Sequence, residues 1–296
     1  MTWLIEPLQF EFMQRALLAS VLIGFTNGFI SGYIVLRRLA LLTDALSHSL
    51  LPGLAVGAIF FGLAPLGLFF GGLVAAVFVA LGGMVVARSS RLKDETAISI
   101  LYVISFALGI ILLKYSRSRV DLGHFLFGNI LGVSDSDLWI SYLTSFLGIT
   151  LLIANHRPLL LAIFEPNVAR SLGVRVSLLN YMLLGIMVLA MIASLQAVGV
   201  VLSLALLILP SATIYVVCDS YDGMLWGGGV LGATGSVIGL YVSYWMDLPS
   251  GPSIVLVLGA VFLAAYLFSP RYGVFSRVFK TRHRHEESLR RWEHKH

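Results

Sequence analysis

Charged residues and cysteines are scarce in this sequence of 296 residues. Only 12% of the residues are charged, whereas soluble domains carry about a quarter. The hydrophobic share is 58%, and the mean hydropathy is +0.92. This balance excludes an ordinary soluble domain and predicts a polytopic membrane protein. The single cysteine, Cys218, excludes an internal disulfide bond and suits a membrane-buried or cytoplasm-facing thiol.

The common motifs of catalysis are also missing. No glycine-rich loop ends in Gly-Lys-Ser or Gly-Lys-Thr, so we expect any ATP hydrolysis to take place on a separate chain. No His-Glu-x-x-His motif is present, and the chain is predicted not to be an enzyme. The net charge of +5 does not indicate nucleic acid binding, because membrane proteins concentrate basic residues in cytoplasmic loops. The first eleven residues hold two acids and no base, which predicts no cleavable signal peptide.

Apolar runs of about twenty residues, the length that crosses a bilayer as a helix, recur along the chain. They lie near residues 14–36, 42–62, 65–87, 96–113, 137–155, 176–195, 199–217, 223–245 and 253–269. The runs predict an all-α transmembrane bundle of nine spans, or of eight if one of the shorter runs does not cross. The predicted transmembrane domain covers residues 1–270, and a tail rich in His and Arg covers residues 271–296.

The basic residues predict the orientation of these spans. If the C-terminus is cytoplasmic, sixteen of the twenty Lys and Arg residues fall on the cytoplasmic side. With nine spans the N-terminus is then outside. Arg15 would weaken this assignment if it belonged to a separate amphipathic helix around residues 5–16. The tail histidines are a second open question, since His-rich tracts can bind metal but lack a fixed geometry here.

The first span carries a row of small residues at every fourth position, Gly24, Gly28 and Gly32. This spacing predicts a groove in which a second helix packs closely. The same spacing recurs at two further pairs, Gly53/Gly57 and Gly67/Gly71. We interpret these two pairs as ordinary glycine enrichment of transmembrane helices. In the seventh span, Pro210 removes one backbone hydrogen bond and predicts a kink in the helix.

Asp44 and His48 lie four residues apart inside an apolar segment, so in a helix both face the same side, with Ser47 beside them. Carboxylate and imidazole are ligands for divalent metals, and ionisable residues inside a bilayer usually line a pathway. The alternative is a structural Asp–His hydrogen bond that packs two helices, and the pair alone favours neither interpretation. Ser47 is expected to orient one of the two ligands.

A segment of about twenty residues, 156–176, separates the fifth and sixth spans on the predicted cytoplasmic side. A plain connector needs only a few residues, so the segment predicts a docking surface for a protein outside the membrane. Glu165, Pro166 and Asn167 are typical of a helix start. Gly173 is typical of a helix end.

These features together resemble the permease subunit of the manganese/zinc/iron ABC importer family. The resemblance rests on four segments, 37–48 with Pro52 and Gly53, 125–131, 164–173 and 206–213. It implies an ABC importer permease that moves a divalent transition metal into the cytoplasm, with 156–176 as the coupling loop. Its contact residues toward the ATPase would be Phe164, Glu165, Pro166, Asn167, Ala169 and Gly173. Glu165 departs from the family, which often has Asp at this position.

The resemblance also implies a homodimer in the bacterial inner membrane. Two ATP-binding subunits would dock in the cytoplasm, and an extracytoplasmic metal-binding protein would deliver the ion. Asp44, His48 and Ser47 would be low-affinity pathway residues, and no cofactor is expected in the chain itself. His and Asp suit manganese, zinc and ferrous iron alike. The open alternatives are a self-standing divalent-cation channel or proton-coupled carrier, and a structural subunit in which Asp44 and His48 are dispensable.

Overall fold

The computed structural model describes residues 6–62, 64–92, 94–115, 128, 130–269 and 273–274. The regular elements in these ranges are helices. Two short 3-10 turns cover Pro7–Gln9 and Ile130–Gly132. The α-helices are α1 (Glu11–Leu36), α2 (Ala40–Ser49), α3 (Leu51–Phe61), α4 (Pro65–Ser89), α5 (Asp94–Tyr115), α6 (Asp135–Ala154), α7 (His156–Phe164), α8 (Pro166–Ser171), α9 (Val176–Val198), α10 (Val200–Val217), α11 (Tyr221–Met246) and α12 (Ser250–Phe268).

Nine segments in the described ranges are long and apolar enough to cross a membrane. Two helices, α2 and α3, form one of them, Ala40–Phe61. Each predicted span coincides with one of these segments, so the prediction of an all-α bundle with nine spans is confirmed. No separate amphipathic helix contains Arg15, because α1 runs without a break from Glu11. Arg15 lies 3.4 Å from the carboxylate of Asp135 at the start of α6, which places both residues at the same end of the bundle.

The most extensive helix contact joins α1 to α11 along the glycine row of α1. A Cβ atom added at Gly24 would lie 2.5 Å from the carbonyl oxygen of Gly232. At Gly28 it would collide with the carbonyl of Gly228, and at Gly32 with the side chain of Leu225. The backbones therefore approach so closely that glycine is required on α1. Small-residue rows drive this kind of packing because helices in lipid gain mainly from close van der Waals contact.

The second set of glycines packs the same way, which corrects the interpretation as simple enrichment. Gly53 on α3 faces Gly71 on α4, and a Cβ atom on either one would collide with the carbonyl of the other. A Cβ atom at Gly57 would lie 2.7 Å from the carbonyl oxygen of Gly67. The two pairs thus form one antiparallel contact. Neither pair reveals this alone, since the spacing within a helix does not say which helix faces it.

Pro210 lies inside α10 and is buried against the bundle. The next residue, Ser211, is also buried, and its hydroxyl donates to the carbonyl of Gly28 at 2.9 Å and of Met224 at 3.3 Å. Ser211 thus ties α10 to the α1–α11 contact. Most of the predicted tail, apart from residues 273–274, and most of segment 125–131 lie outside the described residues.

Candidate metal pathway and docking surface

The span that carries Asp44 and His48 is interrupted at Leu50, between α2 and α3. Pro52 stands in the first turn of α3. Because proline has no N–H, the His48 carbonyl lacks its α-helical donor and instead accepts the N–H of Leu50. His48 therefore lies in the last turn of α2, where the helix dipole favours positive charge. Broken transmembrane helices of this kind commonly flank cation sites.

Asp44 and His48 face the same side of α2, as their spacing predicts. His48 Nε2 lies 3.7 Å from Asp44 Oδ1, which is longer than a hydrogen bond. Two ligands that each bind one ion at about 2.1 Å at a roughly tetrahedral angle are about 3.5 Å apart. The two atoms are therefore spaced for one shared cation. Half of the Asp44 side chain is exposed (50%), and so is 28% of His48, so an ion can reach the pair from outside the bundle.

Aromatic side chains of α5 set the orientation of the imidazole. The ring of His48 packs edge-on against Phe106 with centroids 5.1 Å apart, and it stacks with Tyr102 at 6.5 Å. Its Nδ1 atom is buried and has no hydrogen-bond partner in the described part of the chain. Metal-binding histidines usually donate their second nitrogen to a fixed acceptor. Here packing takes that role, which suits a transient ligand better than a storage site.

Ser47 bonds to the main chain through its hydroxyl, and its role in orienting a ligand stays a prediction. Its side chain is fully buried, and its hydroxyl donates to the main-chain carbonyl of Asp44 at 2.7 Å. Buried serines in membrane helices often bond back to the preceding turn. The Ser47 hydroxyl therefore bonds to the backbone and faces the interior of the bundle, while the Asp44 carboxylate points outward.

The pair is incomplete as a metal site in one copy of the chain. Among the described residues, no group of three or more His, Cys, Asp or Glu side chains could hold a metal ion. Two ligands hold a transition metal only weakly, because these ions take four or more. The exposed carboxylate also makes isolated contact with lipid costly.

Near the C-terminal end of α1, the segment 156–176 contains the two short helices α7 and α8. Pro166 occupies the first turn of α8, as predicted, although Glu165 makes no side-chain cap. Gly173 adopts a φ of +80° and ends the segment. Its N–H donates to the carbonyl of Arg170, and the next N–H donates from Val174 to Ala169. This hydrogen-bond pair is a Schellman motif, in which glycine fits the left-handed position without strain.

An apolar stripe is exposed along this segment. Phe164 is 44% exposed, Val168 45% and Leu172 68%. Glu165, Pro166 and Asn167 are also exposed. Ala169 is fully buried in the main core and anchors α8, and its contact with the ATPase stays a prediction. Burial lowers the pKa of the nearby Arg37 guanidinium at the end of α1.

Sequence reasoning missed two groups of functional candidates. Tyr102 and Phe106 surround the imidazole from a different helix, and no local pattern marks them. His156 and Asp222 contact each other across 66 positions, which no spacing rule reveals. The break at Leu50 could have been predicted, because Pro52 follows His48 by four residues and removes its helical donor.

Comparison with known proteins places these features in a family. The profile of the ABC 3 transport family matches residues 9–269. The manganese transport system membrane protein MntC of Listeria innocua is 38% identical over 267 residues, which cover 90% of this chain and 94% of that protein. A probable iron transport system membrane protein of Haemophilus influenzae is 36% identical over 90% of this chain and 97% of its own length. The solved structure of PsaBC from Streptococcus pneumoniae in complex with Fab contains a similar chain, with a TM-score of 0.83, 33% identity and coverage of 95% of this chain and 98% of that one.

Proposed function

The chain belongs to the ABC 3 transport family and is the membrane-spanning permease subunit of a metal-ion ABC importer, and we propose that Asp44 and His48 form its metal pathway. The observation that carries the proposal is the exposed carboxylate–imidazole pair at the broken span. Asp44 compensates the charge of the cation, and His48 supplies a nitrogen ligand. Manganese is the first ion to test, since close relatives are named as manganese transport proteins.

The pathway is completed by a second copy of the chain. A two-fold axis beside Asp44 would bring two carboxylates and two imidazoles together, because an isologous interface repeats each residue. Four ligands suffice for a divalent transition metal. The same contact would cover the half-exposed Asp44 side chain from lipid. A loosely held ion can also leave, which conduction requires.

The partner ATPase docks on α7 and α8. The exposed side chains of Phe164, Val168 and Leu172 offer apolar contact area, and Glu165 and Asn167, on either side of Pro166, form its polar rim. Basic residues of the 156–176 segment and of the tail favour a cytoplasmic position for this end of the bundle. The C-terminus is therefore cytoplasmic. ATP is hydrolysed on the docked subunits, whose closure moves α7 and α8 and opens the pathway inward.

An extracytoplasmic binding protein delivers the metal at the opposite end of the bundle. That end carries the linked residues Arg15, Glu11 and Asp135. The net reaction is import of the ion into the cytoplasm, driven by ATP.

The test is ATP-dependent uptake of radiolabelled manganese by proteoliposomes that contain the chain, its ATPase subunit and its binding protein. Asp44→Ala and His48→Ala should each lower uptake at least about tenfold while the complex assembles and retains basal ATPase activity, because in the homodimer each substitution removes two of the four ligands. Ser47→Ala is the matched control on the same helix and should retain uptake. Full uptake by both ligand variants would place the pathway elsewhere.

The same assay separates the competing classes. Uptake that persists without the ATPase subunit would support a self-standing channel or carrier. A parallel series with zinc and ferrous iron ranks the cargo.

A further inference from the structure

Three hydrogen-bonded side chains link the docking segment, which consists of α7 and α8, to the transmembrane bundle. The hydroxyl of Tyr33, in α1, lies 2.8 Å from His156 Nδ1 at the first position of α7. The other ring nitrogen, His156 Nε2, lies 3.0 Å from Asp222 Oδ1 in the first turn of α11. One imidazole thus bridges α1 and α11 from the start of the docking segment.

The donors and acceptors in this chain can be assigned from their chemistry. A carboxylate only accepts hydrogen bonds, so His156 Nε2 carries a proton and donates to Asp222. In the neutral imidazole the Nδ1 atom is then an acceptor, and the buried hydroxyl of Tyr33 donates to it. The Tyr33 side chain is fully buried, so His156 satisfies a group that cannot reach water.

The docking segment touches α11 a second time at its far end. The ring of Phe164, the last residue of α7, packs on Tyr221 with centroids 4.6 Å apart. Between these ends, Leu159 and Ala162 are buried in the same core cluster as Tyr33. Helix α7 is therefore fastened at both ends to the first turn of α11. Since α11 is locked to α1 by the glycine contact, a displacement of α7 has to move the α1–α11 pair or break these bonds.

We propose that the Tyr33–His156–Asp222 chain is a positioning element that transmits movement of α7 and α8 to the α1–α11 pair. The inference rests on the proposed function, in which the ATPase docks on that segment. His156 is its central residue, because one ring nitrogen contacts Tyr33 of α1 and the other contacts Asp222 of α11. These three side chains make α7, α1 and α11 move as one body, so that closure of the ATPase displaces the membrane-spanning helices.

Stability and coupling can be separated at this site. The Asp222 side chain is 77% exposed, and an exposed ion pair adds little to stability. Loss of His156 instead leaves the buried Tyr33 hydroxyl without its acceptor, which destabilises the fold. Replacing both Tyr33 and His156 by phenylalanine removes the unsatisfied group, and such paired replacements are often nearly neutral.

The readout is the number of manganese ions imported per ATP hydrolysed by the complete complex in proteoliposomes. We expect Asp222→Ala and His156→Phe to lower this ratio at least about fivefold, at the low end of typical coupling effects. The pair Tyr33→Phe with His156→Phe should regain the thermal stability of the native protein but keep the low ratio. Asp222→Asn, which retains an acceptor, should recover most of the ratio. Tyr215→Phe, at an exposed tyrosine of the same end, is the control.

Two results would overturn this inference. One is an unchanged ratio in Asp222→Ala. The other is that the double phenylalanine variant recovers both its stability and the number of ions imported per ATP. The three side chains would then form a packing contact only. Failure of the proposed function looks different, because the native complex would then import manganese without ATP or without its ATPase subunit.

Discussion

The α1–α11 contact and the α2–α3 span show opposite ways of building a membrane helix. In the first, glycines bring two backbones together, and a Cβ atom on Gly28 would collide with the opposite carbonyl. In the second, Pro52 breaks the helix and Asp44 stays half exposed. The close contact packs two backbones into a rigid body, whereas the broken span leaves one helical hydrogen bond unmade beside the proposed cation ligands. One contact fixes two helices to each other, and the other leaves two polar side chains open to a partner or an ion.

The largest effect should follow from placing a methyl group in the close contact. Gly28→Ala forces two backbones apart, and overpacking of this kind costs about 3 kcal/mol. Thermal denaturation in detergent should show a lower midpoint temperature of unfolding. The matched control is Gly185→Ala in α9, where an added Cβ atom meets nothing within 4 Å. Equal stability of the two variants would contradict the close contact.

Removing the break should have the opposite effect on stability. Pro52→Ala restores an N–H donor for the His48 carbonyl, and we expect a gain of about 2 kcal/mol, part of the penalty of an interior proline. Uptake of manganese should nevertheless fall several-fold, because a continuous helix redirects α3 relative to the face of α2 that carries Asp44 and His48.

The comparison variant for this experiment is Pro210→Ala, since Pro210 also lies inside a helix but outside the pathway. Its uptake should stay near that of the native protein. A Pro52→Ala protein that transports normally would show that the break is not needed for the site.

The smallest effect is expected at the edge of the close contact. Ser211→Ala removes the hydroxyl that donates to Gly28 and Met224, and a hydrogen bond of this kind is worth about 1 kcal/mol. Chemical denaturation should detect this loss. The ions imported per ATP should not change, because the glycine contacts still hold α1 to α11. A fall in that ratio would mean that this hydrogen bond, and not only the glycine contact, is needed for transport.

Local patterns predicted most of the scaffold. Apolar runs located the nine spans, because each crossing requires a full hydrophobic length. The end of α8 at Gly173 followed from a glycine in the left-handed position. Such features depend on neighbours in sequence, and they therefore show in the sequence itself.

Features that depend on distant residues were not predictable in this way. Ser47 shares a helix turn with Asp44 but faces inward, and only the packed bundle decides which side is buried. The pairing of Gly53 with Gly71 and the contact of His156 with Tyr33 join separate helices. Spacing rules describe one helix at a time, so they propose a face but cannot name what covers it.

The most direct test of the account is the coordination of the ion itself. Pulsed EPR of bound manganese detects nitrogen ligands, and the measurement uses the full chain in nanodiscs with its tail histidines changed to glutamine (His283, His285, His294 and His296). At saturating manganese we expect a nitrogen coupling that disappears in His48→Ala and persists in Ser47→Ala. The same nitrogen coupling in His48→Ala, or its absence in the parent protein, would contradict the assignment of Asp44 and His48 as the metal pathway.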